Sequence, residues 1–276
     1  MNLHQLDRLI AAKPPSERQP AIFIGHGSPM NIIRDNAFTQ SLKILGQQSP
    51  RPAAVLVISA HWLTPNETRV SVNPEPAIIH DFGGFPEELY QQRYPAHGHP
   101  ALAGEVVKQV TSLKIHEDHE MGLDHGAWSV LRHIWPQANI PVFQLSIDYA
   151  EPPQFHYDLA RQLQSLRDRG VLILGSGNIV HNLRRISWEE NDPHTPEWAQ
   201  EFDTWAKSKL EAGDHQALVN YAAVGAAAHL SVPTNDHYLP LLYTLGTLAK
   251  DEGIRFTYEG FQNASISMRS LQSVAA

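Results

Sequence analysis

The run Ala53-Ala54-Val55-Leu56-Val57-Ile58-Ser59-Ala60 is apolar almost throughout and stops at His61-Trp62. A continuous run rich in valine and isoleucine, with no polar alternation, fits a strand covered on both faces. That is the situation of a parallel sheet held between helices. Ala21-Ile22-Phe23-Ile24 ends in the same way, in Gly25-His26-Gly27-Ser28-Pro29. Val171-Leu172-Ile173-Leu174 runs into Gly175-Ser176-Gly177-Asn178 and then reaches His181. Open α/β sheets bind ligands at the carboxyl ends of their strands. Three buried strands are therefore expected to deliver three imidazoles to a common edge.

The segments between these strands carry helical spacing. Phe38, Leu42 and Leu45 share a face within 36–46; Leu102, Val106, Val110 and Leu113 follow Pro100; Val130, Leu131 and Ile134 follow Asp124-His125-Gly126. Phe155, Leu159, Leu163 and Leu166 mark a helix that stops at Gly170, and Trp198, Phe202, Trp205 and Leu210 mark another. Thr68 to Val72, Ile140 to Ile147, Ile254 to Glu259 and Ala264 to Met268 read as further strands. Strand–helix alternation over nearly the whole length predicts a three-layer α/β/α domain. Residues 1–20 read as an N-terminal extension and linker, with a short helix around Leu3, Leu6 and Ile10. Residues 21–276 form the domain, without a second boundary or an internal repeat. The stretch from His80-Asp81-Phe82-Gly83-Gly84-Phe85-Pro86 to Pro95 has no regular pattern, and reads either as a binding loop or as a surface excursion.

There are no cysteines among the 276 residues. Disulfides, thiolate-bound zinc, iron–sulfur clusters and thiol nucleophiles are thereby excluded, and any metal must take nitrogen and oxygen ligands. A formal charge of -8 with no Lys/Arg run argues against a nucleic-acid partner, which needs a basic face. No segment approaches the ~20 apolar residues of a membrane span. Met1 to Pro20 lacks the layout of a secretory signal, so a cytoplasmic location is the expectation.

The chain holds 16 histidines. An isolated imidazole is usually a core or surface residue, and His4, His97, His99, His116, His119, His133, His156, His194, His215 and His229 are read that way. His26 and His61 differ, because each follows a buried strand in a turn of small residues. His181 is expected in the first turn of a helix with Asn178 as its N-cap. His237 follows Thr234, and Pro240 cannot donate a backbone hydrogen bond to Asp236, so the turn there should be irregular. Asp124 is placed to orient the His125 ring. The spacing points to a metal site without choosing the metal. Zinc and non-haem iron both take imidazole, and Asp81 and Glu259 are the candidate carboxylates for an iron triad.

Three other motifs carry less. Gly175-Ser176-Gly177-Asn178-Ile179-Val180 has valine where a dinucleotide fingerprint needs its third glycine. His26-Gly27-Ser28 suggests an oxyanion loop, but there is no Gly-x-Ser-x-Gly elbow. No His-Glu-x-x-His pair exists.

Six motifs in one order resemble a known family. They are Gly25-His26-Gly27-Ser28-Pro29-Met30, Ser59-Ala60-His61-Trp62, His80 to Pro86, Asp124-His125-Gly126-Ala127-Trp128, Gly177 to Leu183, and His237 to Leu242. Together they resemble the class III extradiol ring-cleavage dioxygenases, in the 4,5-DOPA extradiol dioxygenase branch, over about residues 20 to 270. The resemblance implies a single α/β domain with a central mixed, mostly parallel sheet and one divalent metal per chain. It implies His26, His61 and His237 as ligands, with histidine at 237 where relatives that cleave protocatechuate carry a carboxylate. It makes His181 either a further ligand or the acid/base, and gives His125 to proton transfer or substrate binding. The reaction implies iron(II), and an all-histidine pocket would also hold zinc in purified protein.

The expected partners are a catechol and dioxygen. The expected product is a muconic semialdehyde, and the expected assembly is a monomer or small homo-oligomer. Phe82, Phe85, Trp62 and Tyr238 are candidates for packing the substrate ring. The rival readings are a zinc hydrolase using metal-bound water and a non-catalytic relative acting as an interaction protein. Sorting the histidines makes a direct prediction. His61→Ala should abolish metal binding and activity with the fold intact, and His97→Ala should change neither; metal analysis and circular dichroism of the two variants check it.

Overall fold

The computed structural model describes residues 18–189 and 192–275. The expected N-terminal helix around Leu3, Leu6 and Ile10 lies outside them. Six strands form the central sheet: β1 (Ala21–Gly25), β2 (Ala54–Ser59), β3 (Val142–Gln144), β4 (Val171–Gly177), β5 (Glu252–Tyr258) and β6 (Ser270–Ala275). Their order across the sheet is β3-β2-β4-β1-β6-β5. The first four run parallel, and β6 is antiparallel to both β1 and β5. The sheet is therefore mixed and mostly parallel, as expected.

Successive side chains of a strand point to opposite faces, and here both faces are covered. Ile22, Ile24, Val55, Val57, Leu172 and Leu174 pack with Phe38, Leu42 and Leu45 of α1 (Ala37–Gln48) and with Trp128 and Leu131. Phe23, Leu56, Ile58 and Ile173 pack on the other side with Leu102 and Val106 of α2 (Pro100–Gln109). Leu159 and Leu163 of the helix Pro153–Leu163 and Leu241 and Leu245 of the helix Leu239–Gly246 complete that layer. Three layers result, and the unbroken apolar runs are explained by burial on both faces. Among the described residues no helix is long and apolar enough to cross a membrane.

Several boundaries differ from the sequence reading. The run 140–147 breaks into Val142–Gln144 and Ile147–Asp148, because Leu145 leaves the sheet edge to bridge Val70. Ala264 to Met268 shortens to Ile266–Ser267, and the true sheet strand is the unforeseen β6. Its polar residues are structural: Ser273 Oγ accepts from the Ala21 N–H at 3.0 Å and Ser270 Oγ from the Gly25 N–H at 3.1 Å. No helix follows Asn178; residues 178–188 form bends and turns.

His156, read from the sequence only as a core or surface residue, is fully buried, and its Nδ1 accepts from the Tyr243 hydroxyl at 3.0 Å. Burial pushes this imidazole down from about 6.5 to about 4. The unfolded chain therefore binds a proton near pH 6.5 that the folded chain refuses until about pH 4. The folded state loses relative stability as pH falls through that window. Between pH 7 and pH 5 the loss attributable to His156 should be about 2 kcal/mol. Urea unfolding at the two pH values should show that much less loss in His156→Gln than in the native chain.

Candidate metal and catalytic site

The carboxyl ends of β2, β4 and β1 are adjacent and in register: Ser59 pairs with Ser176, and Gly25 with Gly177. His26 follows β1 directly and His61 follows β2 by two residues. Their Nε2 atoms lie 3.2 Å apart. His237 comes from the turn before the helix Leu239–Gly246, and its carbonyl accepts the Asn178 N–H at 2.8 Å just past β4. The three ring centroids are 5.0–5.3 Å from one another. One nitrogen from each of His26, His61 and His237 falls within 4.8 Å of the other two, close enough to hold one ion.

The other ring nitrogens explain how the three are oriented. The Ser176 hydroxyl donates its one proton to the Gly126 carbonyl at 2.6 Å. Ser176 Oγ must then accept from His26 Nδ1–H, 3.0 Å away. His237 Nδ1 is hydrogen-bonded to the Asp236 carboxylate, and His61 Nδ1 faces Asp81 Oδ2 at 3.4 Å. With Nδ1 of His26 and of His237 protonated against an acceptor, their Nε2 atoms keep their lone pairs, and the carboxylate facing His61 Nδ1 favours the same tautomer there. Burial, then the proximity of the other imidazoles, holds His26 and His237 well below the ordinary imidazole value. His61 is lowered too, first by burial and then by His125. All three are neutral at neutral pH. Neutral imidazoles that aim lone pairs at one point are a donor set suited to a divalent cation of the zinc or iron type.

His125 and His181 flank this trio. His125 opens α3 (His125–Ile134), with its ring centroid 3.9 Å from that of His61. His181 stacks flat on His237, with centroids 3.5 Å apart and planes 6° apart. It is grouped with Asp236 and His237 rather than with His26 and His61. Burial lowers His181 to about 4. All five expected histidines thus meet at one rim, with His181 beside the three-nitrogen cluster.

The one expected orienting role changes hands. Asp124 does not hold the His125 ring: it caps α3, accepting from the Ala127 N–H at 3.1 Å and the Ser59 hydroxyl at 2.6 Å. Burial raises Asp124 to about 6. The ring is held by Asp81, whose Oδ2 accepts from His125 Nδ1 at 2.9 Å and whose Oδ1 accepts the His125 backbone N–H at 2.8 Å. Burial pushes the Asp81 carboxyl up, but the hydrogen bonds and charge of His125 more than offset this and leave it below its usual value. Glu259 is drawn away to Arg269 and Lys207.

Of the aromatic candidates, Phe82 meets the His125 ring edge-on at 5.5 Å and packs on Phe85. Tyr238 is a core residue: it is fully buried against Tyr221 and Phe202, and its hydroxyl donates to the Leu218 carbonyl at 2.9 Å.

Residues 20–271 match the family of the catalytic LigB subunit of aromatic ring-opening dioxygenase. The chain belongs to that LigB family. It is 45% identical over 261 residues to 4,5-DOPA dioxygenase extradiol of Escherichia coli K12, covering 93% of this chain and 95% of that protein. It is 34% identical over 256 residues to the protein of the same name from Beta vulgaris, covering 90% and 94% of the two chains. A crystal structure of an uncharacterised Escherichia coli K12 protein superposes with a TM-score of 0.80 at 41% identity, covering 92% of this chain and 99% of that one. The LigB-family chain is therefore an extradiol dioxygenase, an oxidoreductase with a single α/β fold, as its motifs implied.

Close packing on β4 explains the two glycines that resembled a dinucleotide fingerprint. A Cβ on Gly177 would collide with the His237 carbonyl oxygen, and one on Gly175 with the Pro240 carbonyl and the Thr244 hydroxyl. The glycines let the LigB His237 turn lie directly on β4. Ser176 and Asp236 were not singled out from the sequence. An acidic residue beside a candidate ligand was a readable signal for Asp236; Ser176, inside an apolar strand, offered none. Gly177→Ala should displace His237 and weaken zinc binding at least about tenfold. Gly83→Ala, with open space around it, should leave zinc binding unchanged; isothermal titration of metal-free protein compares them.

Proposed function

We propose that the enzyme cleaves the ring of a catechol such as DOPA beside its two hydroxyls, adding both atoms of dioxygen to give a muconic semialdehyde. The observation that carries this reading is the convergence of three neutral imidazoles from His26, His61 and His237 on a point flanked by His125 and His181. The name of the Escherichia coli relative supports the DOPA-like substrate.

His26, His61 and His237 would hold one divalent ion, iron(II) for this reaction. A bound iron(II) ion supplies Lewis acidity toward the catechol oxygens and an electron source for dioxygen. The protein supplies the rest. Ser176, Asp236 and Asp81 keep the three rings turned inward. Phe82, with Phe85 behind it, offers an aromatic wall against which a flat ring packs edge-on or offset. His125 and His181 are the proton-transfer groups. Both sit at the rim, and proton transfer by a positioned imidazole is worth ~10²–10⁴-fold.

The all-nitrogen donor set also suits zinc, and that favours one second reading, a zinc hydrolase whose nucleophile is metal-activated water. Protein loaded with iron(II) without air, then given air and L-DOPA, should consume oxygen and form a yellow ring-opened product. No oxygen uptake across a panel of catechols, with ester or amide hydrolysis by zinc-loaded protein, rejects the dioxygenase reading in favour of the second.

A further inference from the structure

Asp81 sits in the irregular loop that follows His80, 44 residues from His125 in sequence, yet both its carboxylate oxygens accept from that one residue. One donor is the ring Nδ1–H. The other is the backbone N–H at the first position of α3, which has no partner within its helix and can never act as an acceptor. The two contacts fix the ring plane and the tautomer together. His181 has no such clamp: its ring lies on His237 and hydrogen-bonds to none of the described residues.

We propose that Asp81 is a positioning residue that locks His125 in its Nδ1–H tautomer, so that His125 Nε2 accepts the proton of a catechol hydroxyl. This deepens the catechol-cleaving reading and rests on it for the substrate. In the step, the hydroxyl O–H bond breaks, the oxygen keeps the electron pair, and the proton forms an N–H bond at Nε2. Asp81 stays ionised and faces the resulting imidazolium, the arrangement by which a carboxylate orients and supports a catalytic histidine. The same carboxylate lies 3.4 Å from His61 Nδ1. Asp81, His61 and His125 are also close enough to share an ion, and a metal-ligand role is the competing account of Asp81.

Asp81→Asn separates the two. An amide has one acceptor oxygen where the carboxylate has two. If that oxygen stays on the fixed backbone N–H, the NH2 group faces the ring and requires a lone pair on Nδ1, which moves the ring proton to Nε2. In zinc-loaded protein with ¹⁵N-labelled histidine, the His125 signals, assigned by their absence in His125→Gln, should report Nδ1–H in the native chain and Nε2–H in Asp81→Asn. The iron(II) form of the variant should keep one ion per chain, lose about 10²-fold in kcat, and change far less in KM.

An unchanged tautomer in the variant, or loss of the metal with the Nδ1–H tautomer retained, overturns the proposal. Should the variant not fold, the native spectrum decides: Nδ1–H supports the clamp and a dominant Nε2–H form refutes it. An iron(II) enzyme inert to every catechol would sink the functional reading alone, because the tautomer comparison on zinc protein is independent of turnover.

Discussion

Three imidazoles facing one another with their lone pairs inward is an arrangement that opposes itself. At 3.2 Å, the Nε2 atoms of His26 and His61 are as close as hydrogen-bonded partners, yet neither has a proton to offer once both Nδ1 atoms are protonated. Protonating one ring would relieve the conflict in water. In this pocket, burial and the neighbouring imidazoles oppose that solution. What satisfies all three at once is a cation. The site is thus defined as much by where the Nδ1 protons point, toward Ser176, Asp236 and Asp81, as by where nitrogens converge. A buried donor without an acceptor costs about 1–3 kcal/mol, so each of these outer partners stabilises the one ring orientation that aims Nε2 inward.

Such a geometry needs a stiff foundation. It comes from the register of three parallel strands whose last residues, Gly25, Ser59 and Gly177, end nearly level. Each fully buried Val, Leu or Ile in those strands contributes roughly 1.5–3 kcal/mol, and the sheet is covered on both faces. The rim gains its precision from the strands below it rather than from the loops above. The fourth element, the His237 turn, is seated by direct backbone contact: the Asn178 N–H donates to its carbonyl, and the absence of a side chain at Gly177 leaves room for that approach.

How much of this was legible follows from the same physics. Doubly buried parallel strands are unbroken apolar runs, so β1, β2 and β4 and the histidines at their ends could be read residue by residue. The antiparallel strand β6 could not, because its serines replace a long apolar run and serve as side-chain acceptors for β1. Adjacency misled at Asp124. The helix that starts at His125 takes that carboxylate for its own cap, and the ring is left to a partner 44 positions away. Adjacency holds at Asp236, which the sequence reading passed over: no helix begins there until Leu239, and the carboxylate turns to its neighbour. Whether an aspartate orients the next histidine therefore depends on which residue supplies the helix cap. The grouping of His181 with His237 rather than with the full trio depends on a turn between Asn178 and Trp188 that the sequence suggested as a helix.

An all-imidazole centre also shifts the burden of charge. Where a carboxylate ligand would neutralise part of a divalent ion, three neutral rings would leave its charge intact; the nearby negative charge lies instead on Asp236 and Asp81, behind the rings. Asp236 lies against Nδ1 of His237 and Asp81 against Nδ1 of His61, the outer positions from which a carboxylate polarises a ring toward its other nitrogen. Asp81 does this for His61 while clamping His125, so one side chain links the electrostatics of the metal pocket to the ring beside it. That side chain belongs to the loop that also carries Phe82, whose ring meets His125 edge-on. Placement of the loop therefore orders a carboxylate, the His125 ring and an aromatic side chain together.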